Sequence, residues 1–162
     1  DIFSYLHEEG VSSRGEVELP QAMVRMNQEI DVKVVKAKGY WHPIGYPWDL
    51  LIASSALDGE SECWLGEGVK IGEEVTMCGS IVMEGSVIGA GSSVRHSVIG
   101  REVVIGERVL VETSIEGGEM VFSEVKGVMV NTGLSEFGCV LGDGVVVEDG
   151  VVLSAGIKVD VG

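Results

Sequence analysis

The chain has 162 residues, 45% hydrophobic but only 6% aromatic, with 24 Gly, 3 Pro and 26 acidic against 11 basic side chains, for a formal charge of -15. That length suits one ordinary domain or a small domain beside part of another, the apolar content excludes a disordered chain, and glycine without a G-X-Y period excludes collagen. No apolar run approaches the roughly 18 residues that cross a bilayer and no charged-then-apolar leader opens the chain, so a soluble cytoplasmic protein is expected, with neither membrane nor nucleic acid as partner.

Ile2, Phe3 and Leu6 suggest a short helix, and Leu19, Ala22, Met23 and Met26 recur at helical spacing with Pro20 in the first turn. Val32, Val34 and Val35 read as a strand. Residues 47–57 read as a further helix, with Pro47 preset for its first position and Asp49 near the positive end of its dipole. Four glycines precede residue 59 and the other twenty follow from it, whereas all three prolines precede residue 48. Asp58-Gly59-Glu60-Ser61 is turn-forming, so the domains are expected at 1–58 and 59–162. One helix-strand-helix unit buries too little for a core of its own, and the chain starts at Asp1 without Met, so more of the first domain is expected upstream.

From Leu65 an aliphatic-Gly pair recurs at Leu65-Gly66, Ile71-Gly72, Ile88-Gly89, Ile99-Gly100, Ile105-Gly106 and Leu141-Gly142, with Met77, Met83, Val94 and Val111 continuing the step. A second aliphatic often stands two residues earlier, as at Val69, Val75, Val103 and Val145. A period of six is not that of a helix, and the β-branched, Gly-rich composition opposes one. The pattern predicts a two-contact strand followed by a turn, with the glycine taking a backbone conformation that a Cβ would penalise. Met83 to Ile88 and Val94 to Ile99 are steps of five, expected at tightened corners, and residues 112–140 lose the period, as an outward loop would. Stacked coils around a thin aliphatic column follow, which also accounts for the scarce aromatics. Cys63, Cys78 and Cys139 are odd in number and lack metal-type spacing, so they are expected as reduced core or wall residues.

This periodicity resembles hexapeptide-repeat, left-handed parallel β-helix domains. The resemblance implies a mainly β fold of about five coils, preceded by a partial α/β segment, and assembly as a homotrimer or a dimer of trimers. The helix at 47–57 is expected to cover the first coil. Upstream, Ser12-Ser13-Arg14-Gly15-Glu16-Val17-Glu18-Leu19 and Gly39-Tyr40-Trp41-His42-Pro43-Ile44-Gly45-Tyr46-Pro47-Trp48-Asp49-Leu50-Leu51 resemble the last third of a sugar-1-phosphate nucleotidylyltransferase domain of archaeal type. The stretch Asn131-Thr132-Gly133 through Gly142-Asp143 is similar to a T-G-x-x-x-x-G-x-x-x-G-D segment of the same proteins. That family joins a nucleoside triphosphate to a sugar 1-phosphate with Mg²⁺ and releases pyrophosphate. The resemblance implies that Arg14 contacts the sugar phosphate and that Glu16 and Glu18 lie near the sugar pocket, so sugar phosphates and nucleotide sugars are the expected small-molecule partners.

Two departures bear on activity. Pro43 stands where relatives carry a metal-binding Asp in W-x-D-x-G, with His42 a poor Mg²⁺ substitute, and the family's Gly-rich phosphate loop is not among these residues. The chain alone is therefore expected not to make nucleotide sugars, nor to hold a cofactor. An alternative comes from hexapeptide-repeat acyltransferases, which use a His to deprotonate the acceptor of an acyl or acetyl-coenzyme A group. His96, the one His among the repeats, is then the candidate catalytic residue. A third possibility is a structural or regulatory assembly module whose enzymatic ancestry has decayed.

Overall fold

Aliphatic pairs set apart by glycine-rich turns can satisfy their backbone only by pairing with the next coil, and the strands do so throughout. The structure, a computed structural model, describes residues 1–8, 10–12, 15–59 and 62–161. The first coil carries β1 (Trp64–Leu65), β2 (Lys70–Ile71) and β3 (Thr76–Cys78), and the second β4 (Ile81–Val82), β5 (Val87–Ile88) and β6 (Ser93–Arg95). The third carries β7 (Val98–Ile99), β8 (Val104–Ile105) and β9 (Leu110–Val111). An antiparallel hairpin, β10 (Phe122–Val125) and β11 (Val128–Asn131), then interrupts the winding. The fourth coil follows with β12 (Cys139–Leu141), β13 (Val146–Val147) and β14 (Val152–Leu153), and β15 (Ile157–Val159) opens a fifth. They stack as three parallel sheets, β1-β4-β7-β12-β15, β13-β8-β5-β2 and β14-β9-β6-β3. The protein is a mainly β parallel solenoid, consistent with the left-handed β-helix.

Inside runs one aliphatic column that includes Val82, Ile88, Val94, Ile99, Ile105 and Leu141. The shortened step falls one coil wall earlier than the sequence suggests. Val82, fully buried, continues the column from Met77, whereas Met83 packs on the outer cluster. In the run Ile81-Val82-Met83 all three side chains are apolar, so hydrophobicity alone leaves the register open. The shortened step follows the corner at Gly79, whose φ is 55°.

The glycines also divide differently from the expectation. Gly100, which follows the aliphatic pair, is needed for close approach: a Cβ there would stand 2.8 Å from the Asp143 backbone nitrogen in the next coil. The left-handed conformation belongs to the residue two positions further on in such turns, as at Gly144 with φ +73°. Some corners hold it with other residues, among them His96, φ 46°, and Glu102, φ 52°.

Serines of the second coil supply what the pattern of aliphatics does not reveal. Ser86 and Ser92 are buried where the third coil has Val103 and Val109, and each Oγ donates to a carbonyl of the coil above and accepts an N–H from it.

Two compact units are present, Asp1–Trp41 and His42–Gly162. In the first, α1 (Ile2–Glu8) and α2 (Leu19–Glu29) are joined by Tyr5 Oη donating to Glu29 at 2.7 Å and by Arg25 pairing with Glu8 at 2.7 Å. The strand expected at Val32–Val35 does not form: the run finds no ladder partner among the described residues, and Val34 and Val35 are exposed. In the second unit, α3 (Asp49–Asp58) packs with the solenoid, so the division by packing at residues 41–42 lies upstream of the compositional change at 58–59. Asp49 accepts the N–H groups of Gly45 and Tyr46 at 2.7 and 2.8 Å, which turns the chain into the helix.

The helix does not cover the first coil as expected. Trp48 and Leu51 lie on the outer face of the first sheet with Ile81, Val98 and Val140, and Val121 and Phe137 complete a second core. Leu65 and Ile71 at the open end stay 45% exposed.

Candidate functional site

One corner of the solenoid is built differently from its neighbours. Between β6 and β7 the chain turns through His96, whose N–H donates to the Cys78 carbonyl and whose carbonyl accepts the Gly138 N–H, both at 2.8 Å. The backbone thus keeps its ladder in the left-handed conformation, and the imidazole reaches Glu136, Nε2 to Oε2 3.1 Å. The ring is 19% exposed.

Glu136 is brought there by the T-G segment. Thr132 Oγ1 donates to the Val121 carbonyl at 2.7 Å and accepts the Leu134 N–H, while Asn131 Oδ1 accepts the Gly133 N–H at 2.8 Å. Phe137 donates its N–H to the Thr113 carbonyl at 2.7 Å and buries its ring against Trp48, so the segment is anchored at both ends. Asp143, the last residue of the motif, accepts the Arg101 N–H at 2.7 Å, a structural role at the next corner.

His96 and Glu136 form one side of a pocket of about 380 Å³. Leu51, Ile52, Ser54 and Ser55 of α3 also line it, together with Glu62 and Gly79. An imidazole held by a carboxylate can accept a proton from a bound group. Sequence reasoning isolated His96 and missed Glu136; the T-G motif was its signal, read as resemblance and not as a device that delivers a side chain.

The other candidates fall elsewhere. Arg14 lies outside the described residues. Glu16 is exposed, its carbonyl accepting the Ser12 N–H, and Glu18 is the N-terminal cap residue of α2. Both belong to the first unit and His96 to the second. His42 Nε2 stands 3.8 Å from Asp49 Oδ1. No three His, Cys, Asp or Glu side chains come together as a metal cluster among the described residues, and Pro43 offers no side-chain ligand. The three cysteines are free thiols. Burial pushes the Cys139 thiol up to about 12, against a smaller lowering by the Ser97 hydroxyl. No helix is long and apolar enough to cross a membrane among the described residues.

A parallel β-solenoid with a helix and a hairpin packed on one sheet defines the class. The chain belongs to the family described as the GMPPB C-terminal domain, which it matches over residues 53–159. Among curated proteins it is similar to the bifunctional sugar-1-phosphate nucleotidylyltransferase/acetyltransferase of Sulfurisphaera tokodaii, 45% identical over 51 residues, 32% of this chain and 13% of that protein. It also resembles the bifunctional protein GlmU of Methanococcus aeolicus, 46% identical over 54 residues, 33% of this chain and 13% of the relative. GlmU of Methanocaldococcus jannaschii is 41% identical over 56 residues, 35% and 14%. Each match therefore spans about one seventh or less of the relative's length.

Proposed function

We propose that this chain is the C-terminal part of a sugar-1-phosphate nucleotidylyltransferase-like cytoplasmic protein, and that its hexapeptide-repeat solenoid joins copies of that protein into trimers. The observation that carries the reading is the outer row of the second sheet. Lys70, Val87, Val104 and Val146 stand in register across four coils, with Val104 42% and Val146 68% exposed. The matching row of the first sheet, Ile81, Val98 and Val140, is buried under Trp48 and Phe137. Copies with a charge of -15 repel one another at long range, so they meet best on a face that carries no acid. The valine row is such a face, and Lys70 at its edge suits an acidic turn of a second copy.

Nucleotidyl transfer itself belongs, in this reading, mainly to residues beyond these, where the nucleotide and Mg²⁺ of the intact family would bind. The exposed Val34 and Val35 support it, because a β-prone run without a ladder partner among the described residues fits the edge of a larger sheet. Arg14 keeps its proposed place at the sugar phosphate, and Glu16 and Glu18 theirs near the sugar pocket. Light scattering across a concentration series tests the assembly: the native chain should show a trimer mass, and Val104→Glu with Val146→Glu a monomer. A native monomer at tens of micromolar would sink the proposal.

The pair of His96 and Glu136 favours a second reading, acyl transfer. His96 would take the proton of an acceptor amine or hydroxyl as the acyl carbon leaves the sulfur of a coenzyme A thioester, and pass that proton to the departing thiolate. Thioesterase-free transfer assays with acetyl-coenzyme A, lost in His96→Ala, would support it. The carboxylates at the pocket disfavour the coenzyme's phosphates, which is why assembly stands first.

A further inference from the structure

The chemistry of the pocket over His96 is one-sided. Leu51, Ile52 and Leu134 give it apolar surface, while Glu62, Glu136 and His96 supply its titratable groups. The chain has 11 Lys and Arg, yet none is among the described lining residues. The C-terminal half of α3 forms one wall through Ser54, Ser55 and the cap residue Gly59, and the last turn of that helix has no basic side chain. A helix C-terminus carries partial negative charge and favours a cation. Three features from separate parts of the chain, two carboxylates, a helix end and apolar walls, thus meet on one cavity.

A primary ammonium on an aliphatic stem matches all three. Its methylenes would lie on Leu51, Ile52 and Leu134, and its three N–H donors would reach the carboxylates and the serine hydroxyls. A volume of about 380 Å³ falls within the range of small-ligand sites, roughly 300 to 1,000 Å³, and is ample for a stem of four or five carbons. Anions are disfavoured by the same charges. We propose that this pocket is a binding site for an alkylammonium group, brought either by a free aliphatic amine or by a lysine side chain of a partner protein. The site needs no catalytic step; it is independent of the assembly reading and shares His96 and Glu136 with the acyl-transfer reading.

Chemical-shift mapping on the isotope-labelled chain at fixed ionic strength tests it, with 1,5-diaminopentane, N-acetyl-lysine methylamide and 1-pentanol as probes. Saturable shifts centred on Gly79, His96 and Glu136 are expected with the two amines and not with the alcohol. The site shared, a stronger response to the diamine assigns a free amine and a stronger response to the lysine derivative assigns a partner side chain. Glu62→Gln with Glu136→Gln should weaken binding at least tenfold. Ser135→Phe, on an exposed loop position, should block the pocket while leaving every charge in place. Shifts spread over the acidic surface without saturation, or binding unchanged in both variants, would overturn the proposal.

Discussion

Ser86 and Val103 are locked together across two coils: Ser86 Oγ accepts the Val103 N–H at 3.0 Å and donates to the Gly100 carbonyl at 2.7 Å. One hydroxyl satisfies a donor and an acceptor at a buried corner. One coil further on, where Val103 replaces the serine below, the Val145 N–H turns instead to the carbonyl of Gly142 in its own turn, at 3.3 Å. Ser86→Ala leaves two buried backbone groups without their partner, so it should cost about 1 to 3 kcal/mol in chemical unfolding. An unchanged denaturation midpoint would contradict this account of the corner.

The two glycine roles separate under the same substitution. Gly144→Ala meets open space and only a left-handed backbone, for about 1 to 2 kcal/mol, whereas Gly100→Ala drives a methyl into the next coil's backbone. The second should cost more than about 3 kcal/mol and prevent the fourth coil from seating. Paired melting curves would show a drop of several degrees for Gly144→Ala and a far larger one for Gly100→Ala.

Trp48 should dominate the outer core. It is 2% exposed, stacked on Tyr46 at 4.7 Å and edge-on to Phe137 at 5.8 Å, while Trp41 and Trp64 are 79% and 48% exposed. Trp48→Ala is expected to cost about 3 to 5 kcal/mol. Acrylamide should quench the native protein in two populations, the protected one vanishing in the variant.

Cys139 gives stability a pH dependence with a defined sign. Its thiol, ordinarily near 9.0, is raised to about 12 by burial, so between these values the folded chain holds a proton that the unfolded chain has lost. The contribution is complete below pH 9 and is lost as pH rises toward 12, at about 1.4 kcal/mol per unit. Unfolding followed from pH 8.5 to 10.5 should show a shallower slope in Cys139→Ala than in the native chain; parallel slopes would refute the assignment.

Much of the solenoid was legible because its interior repeats a single demand: Ile88, Ile99 and Ile105 are aliphatic since each fills the same narrow column. The helices at Leu19 and Asp49 were equally plain, through Pro20 and through Pro47 with Asp49, although the second begins at Asp49 and not at Pro47. What escaped was non-local. Nothing near Trp48 in the chain reveals Val140, and nothing near His96 reveals Glu136, since both partners arrive through a hairpin whose register no period announces. The run at Val32–Val35 has strand chemistry but no neighbour among the described residues, and β-propensity without a partner makes no strand.

The hairpin that delivers Glu136 also sets how the molecule can assemble itself in time. Neighbouring coils below it are joined by partners 17 residues apart, such as Ile81 and Val98, whereas Val98 meets Val140 across 42. Closing the longer loop costs about 0.8 kcal/mol more in chain entropy. The first three coils can therefore wind by successive local steps, and the fourth waits for the insertion to fold back, making that junction the slow register of growth.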